Sequence, residues 1–251
     1  MADFRTHLTT SSAIGVIYGA AGYVEWDLLP STCVISGALC GLAGMLPDID
    51  SDSGHSQREV MTFTAALLPM LMLPRFAEFN LTPEQTTLAA GCVYIIVRFG
   101  FGELLRRFTV HRGMFHSLPA ALIAGLITAV VCNCPDVLPR LFKVGAVVLG
   151  YLVHLVLDEI WAIEFYRGRF RLKNSFGTAF KMFSKRWFPN VFTYGVLLGV
   201  AVLAYHDPLL MDKLSVPGHN HPHGSQHIWQ SAPSETGGLD LGSQRSESQF
   251  R

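Results

Sequence analysis

Charge is scarce in this 251-residue chain: 15% of its residues are charged, against about 25% in an average soluble domain, and half are apolar. Formal net charge is zero, and no long basic stretch tracks a phosphate backbone, which argues against nucleic acid as a partner. The five cysteines, Cys33, Cys40, Cys92, Cys132 and Cys134, contain no C-x-x-C pair. Most lie in apolar stretches where a thiol behaves as a small hydrophobe, so no metal or redox chemistry is assigned to them. Nucleotide loops, a Gly-x-Ser-x-Gly elbow and a dinucleotide fingerprint are also missing, and with them the chemistries they serve.

What the chain has instead is uncharged length. Seven apolar runs recur between charged or proline-containing breaks, at residues 8–24, 28–47, 60–74, 86–97 (extending to about residue 105), 117–135, 144–157 and 187–205. Crossing a bilayer takes about 20 mostly apolar residues. Four runs meet that alone; the third, fourth and sixth are short or interrupted, the fourth by Arg98. The expected fold is all-α, a polytopic transmembrane helical bundle of about seven spans, with five or six as alternatives.

Arg5 ahead of the first run resembles a signal peptide, but a second uncharged run follows at once and the first is read as part of the bundle. Gly15 with Gly19, and Gly37 with Gly41, have the four-residue spacing that lets two membrane helices approach closely. Residues 1–210 are expected to form the membrane domain. Residues 211–251 turn to Pro, Gly, Ser, His and Gln and are expected to be a disordered tail. Its tract His219, His221, His223 and His227 is expected to be solvated.

Seven spans place twelve Lys or Arg residues on the side of the N-terminus and, before the far tail, four on the other, Arg75, Arg140, Lys143 and Lys213. The richer side is expected to be cytoplasmic. The sixth loop, residues 167–186, supplies seven of the twelve and interleaves them with phenylalanine, a composition suited to an anionic leaflet.

Three motifs carry candidate chemistry. In Leu46-Pro47-Asp48-Ile49-Asp50, an extended backbone would face both carboxylates the same way, about 6.5–7 Å apart; a solvated acidic turn would look the same. In His111-Arg112-Gly113-Met114-Phe115-His116-Ser117, a continuous helix would set the imidazoles about 140° apart. Gly113 suggests a loop instead, and Ser117-Leu118-Pro119 reads as a helix start. In His154-Leu155-Val156-Leu157-Asp158, the i to i+4 spacing sets both side chains on one face, about 6 Å apart, as metal ligands or as a buried His–Asp hydrogen bond. All three fall on the expected cytoplasmic side, as does His7. Mixed imidazole and carboxylate donors suit zinc, manganese or iron, and six ligands would suit two adjacent ions. Such a centre activates water, which is hydrolytic chemistry.

In this order and membrane placement, the three motifs resemble the YdjM-type family of inner-membrane metal-dependent hydrolases over about residues 6–163. The resemblance implies a bacterial or archaeal inner-membrane protein whose metal ligands are Asp48, Asp50, His111, His116, His154 and Asp158, with His7 as a further member. Asp48, His116 and Asp158 are then the expected catalytic groups. A phosphoester of a lipid-soluble molecule is the expected substrate, and membrane lipid the expected partner. A metal transporter or sensor, and a membrane scaffold without catalysis, are the competing readings.

Overall fold

The structure, a computed structural model, describes residues 3–50, 54–101, 115–134, 136–166, 169–172, 182–183 and 187–207. The chain divides into two units, Met1–Ser215 and Val216–Arg251. Every described residue belongs to the first, and the tail lies outside them.

Each apolar run contains a helix. In chain order the helices are α1 (Phe4–Trp26), α2 (Pro30–Ala43), α3 (Gly54–Leu71), α4 (Leu73–Glu78), α5 (Pro83–Ile95), α6 (Leu118–Val131), α7 (Val137–Trp161) and α8 (Trp187–Tyr205). A 3-10 turn, Leu46–Asp50, follows α2, and a π-helical segment, Ile96–Phe101, follows α5. Among the described residues the strands are those of one hairpin, β1 (Ile163–Tyr166) with β2 (Arg169–Leu172), which follows α7.

Among the described residues, four segments are long and apolar enough to cross a membrane: Pro30–Asp48, Arg58–Glu78, Val137–Trp161 and Trp187–Tyr205. Two of these contain runs that look too short in the sequence, and the physical reasons differ. The third run continues past Pro74 because that proline sits in the first turn of α4, where a missing N–H breaks no helical bond. The sixth run extends back through Arg140 and Lys143 because both charges find partners.

Arg140, 1% exposed, donates to Asp207 Oδ2 at 2.7 Å and to the Ala129 carbonyl at 2.7 Å. Lys143 reaches Cys134 Sγ at 3.1 Å. Conversely, α1 has 23 residues but is too rich in Ser, Thr and Gly to rank among the four. The apolar helix α6 has 14 residues, short for a span.

Small residues decide how the first helices meet. The buried positions of α1 are His7, Ser11, Gly15, Gly19 and Gly22, nearly one per turn. A Cβ on Gly15 would run into the Gly37 carbonyl of α2, and one on Gly19 would sit 2.7 Å from the Cys33 carbonyl. Gly150 of α7 lies against the Cys40 carbonyl in the same way. Helices α1, α2 and α7 therefore touch backbone to backbone, the mode that membrane helices use where lipid supplies no hydrophobic drive between them.

The far end of the bundle is tied by charge. Asp207 accepts from both Arg140 and Arg75, at 2.7 and 2.6 Å, and Arg75 also donates to the Val130 carbonyl at 2.6 Å. Burial alone would raise the Asp207 carboxyl, but the two guanidinium groups outweigh it and hold the group at about 2. A depressed carboxylate pKa stabilises the fold above the ordinary carboxylate pKa of about 4 and ceases to do so as pH falls through the folded value. Asp207→Asn is expected to lower stability by about 2–3 kcal/mol near neutrality, the free energy that corresponds to a carboxyl held at about 2 by the two guanidinium groups. In detergent melts of both proteins, the gap should close as pH falls from about 4 to about 2; a gap that stays constant would contradict this account of Asp207.

Candidate metal centre

Four segments bring five ionisable side chains to one end of the bundle. The first turn of α1 contributes His7, which is wholly buried. Asp48 comes from the 3-10 turn, His116 from the residue before the Ser117 N-cap of α6, and His154 with Asp158 from the last turns of α7.

The turn forms because α2 tightens at its C-terminus, with Met45 N–H donating to Leu42 O at 2.9 Å and Asp48 N–H to Met45 O at 3.2 Å. This corrects the expected extended geometry. At three residues per turn, residues two apart do not share a face, so the alternation argument for pairing Asp48 with Asp50 fails. The Asp50 side chain and His111 both lie outside the described residues.

His154 is the pivot of the cluster. Its Nδ1 lies 2.7 Å from the Gly44 carbonyl. A carbonyl only accepts, so Nδ1 carries the hydrogen and Nε2 keeps a lone pair. That nitrogen stands 3.7 Å from Asp48 Oδ1 and 3.8 Å from Asp158 Oδ2. His116 Nε2 meets the same two oxygens at 3.6 and 3.7 Å, and His7 Nε2 lies 3.3 Å from Asp158 Oδ1. The His7 ring stacks on His154 with centroids 3.8 Å apart.

Ligand atoms of His7, His154 and Asp158, and likewise of Asp48, His116 and His154, all fall within 4.8 Å of one another. Both nitrogens of His7 and of His116, and Nε2 of His154, are buried without a hydrogen-bond partner. Orphaned buried polar atoms cost about 1–3 kcal/mol each. Three of them, the Nε2 atoms of His7, His116 and His154, face the carboxylates of Asp48 and Asp158 and suit a shared cation. Zinc bound at about 2.0–2.1 Å to tetrahedral ligands would set them about 3.3–3.4 Å apart, the short end of the separations found here. The donor set therefore fits a divalent ion.

The family of inner membrane proteins described as YdjM matches residues 1–170. The chain belongs to that family. No curated protein and no solved structure matches it. The matched stretch holds every member of the cluster and ends inside β2.

Sequence reasoning missed the parts that aim the ligands. Gly44 acts through its carbonyl, which any residue possesses, so no sequence signal marks it. Tyr151, one turn before His154, donates from its hydroxyl to the Phe115 carbonyl at 2.5 Å, which ties the His116 loop to α7. Its i−3 relation to His154 was the available clue. The Ser117 hydroxyl accepts from the Ala120 N–H at 3.3 Å, the N-cap expected from Ser117-Leu118-Pro119. Tyr151→Phe is expected to lower stability by about 1 kcal/mol and to speed amide exchange across residues 115–117. Exchange there at the wild-type rate would mean that the loop is held by other contacts.

Proposed function

We propose that this protein is a membrane-bound metal-dependent hydrolase acting on a phosphoester or related bond of a lipid-soluble substrate, with His7, Asp48, His116, His154 and Asp158 holding the metal. One observation carries the proposal: His154, its Nδ1 engaged by Gly44, turns a buried lone pair toward two carboxylates that two further histidines also face. A metal-binding histidine typically has its other nitrogen fixed in this way.

A divalent ion bound there would lower the pKa of water toward neutrality and polarise a phosphoryl or carbonyl oxygen. The remaining roles belong to the chain. His7 and His154 are wholly buried and form the rigid back of the site. Asp48 and His116, whose side chains are 14% and 13% exposed, form the open side where a substrate approaches. Either carboxylate, Asp48 or Asp158, can accept a proton from water as general base.

The family placement in the inner membrane, together with the excess of basic residues that the sequence assigns to the side of the N-terminus, supports a site facing the cytoplasm. The depth of the site favours hydrolysis over transport. Asp158 is three residues from the end of α7, whereas transporter sites lie near the bilayer midplane.

The test is the metal content per chain of detergent-purified protein, wild type against His116→Ala and Asp158→Ala, followed by phosphate release from phospholipid substrates. Near-stoichiometric zinc, manganese or iron that falls in both variants, together with turnover lost in both, is the expected result. Stoichiometric metal with no turnover, and metal flux into proteoliposomes that is lost in Asp158→Ala, would replace hydrolysis by transport. Metal-free protein indifferent to both substitutions would leave a structural His–Asp cluster.

A further inference from the structure

Between the end of α7 and the start of α8, residues 163–186 carry seven basic residues against one acidic residue, Glu164. We propose that the β1–β2 hairpin is an interfacial element that docks on anionic phospholipid headgroups of the leaflet beside the His/Asp cluster.

The register supports this. Ile163 pairs with Leu172 and Phe165 with Phe170, while Glu164 pairs with Arg171 and Tyr166 with Arg169. Alternation along a strand places Ile163, Phe165, Phe170 and Leu172 on one face of the hairpin and Glu164, Tyr166, Arg169 and Arg171 on the other. An isolated two-stranded hairpin is marginal in water and needs a surface for its apolar face. An amphipathic element with arginine on its polar face is suited to the headgroup boundary.

The elements on either side set the depth. Trp161 closes α7 and Trp187 opens α8, and they are 44% and 74% exposed; Ile160 and Phe188 beside them are also exposed. Tryptophan collects at the membrane–water boundary, so both ends of the connecting segment emerge there. Phe183 stacks on Tyr194 of α8, and the Tyr194 hydroxyl donates to the Met182 carbonyl at 2.8 Å, which holds the segment's far end against the first turns of α8. Attraction between a basic residue and an anionic leaflet is confined to about a Debye length, roughly 10 Å at 0.1 M salt, and a hairpin at this level lies within it. Ile163 follows Asp158 by five residues, so a docked hairpin would hold headgroups next to the cluster.

The experiment uses the full-length protein in nanodiscs of phosphatidylcholine alone or mixed with phosphatidylglycerol. An environment-sensitive fluorophore is attached at Phe170→Cys, and its quenching by acyl-brominated lipid is read. Docking predicts at least two-fold stronger quenching in the anionic discs, abolished by 1 M salt and by the pair Arg169→Gln with Arg171→Gln. Equal quenching in neutral and anionic discs, indifference to salt, or no quenching in either would each overturn the proposal. The salt titration on the arginine-containing protein gives the answer even where the double variant folds poorly. Metal content is measured on the same samples. Its absence would remove the hydrolase reading and leave the docking result untouched.

Discussion

The site depends on how closely three helices approach. Helices α1, α2 and α7 meet where Gly15 touches Gly37 and Gly150 touches Cys40. At that separation the start of α1, the end of α2 and the end of α7 come together at one pole. His7 then lies on His154, and the Gly44 carbonyl comes within a hydrogen bond of its ring. A side chain at any of these glycines would push the backbones apart by more than a ligand cluster tolerates, since misplacement by about 1 Å is enough to weaken a preorganised site.

The two poles of the bundle handle buried charge in different ways. At the far pole, Asp207 accepts from both Arg75 and Arg140, and carbonyls in the last turn of α6 accept a further hydrogen bond from each arginine. At the near pole, three imidazoles face two carboxylates without completing their hydrogen bonds. Arg140 and His154 are fourteen residues apart on one continuous helix, about 21 Å. The ion-paired network and the His/Asp cluster thus occupy opposite ends of α7.

Much of this was legible in the residues. Long apolar runs specify helices in lipid because no other open structure satisfies its own backbone there, and Ser117 ahead of Pro119 marked a helix start by local chemistry alone. The His154–Asp158 pair followed from helical periodicity. The geometry of Asp48 did not, because a chain leaving a helix can extend or tighten, and here tightening won. Span lengths were misjudged for a related reason: Arg140, Lys143 and Pro74 read as breaks until their partners and helix positions are known.

The sequence by itself determined the class of the molecule, a helical membrane protein of the YdjM family, and named His7, Asp48, His116, His154 and Asp158, because apolar length and residue chemistry are properties of the chain. Tertiary structure alone decided that these five meet, that His154 presents Nε2 rather than Nδ1, and that Arg140 is at home inside a helix. Those outcomes depend on distances between residues more than a hundred positions apart, such as Gly44 and His154. Such distances are fixed only when helices pack, and local preference along the chain carries no record of them.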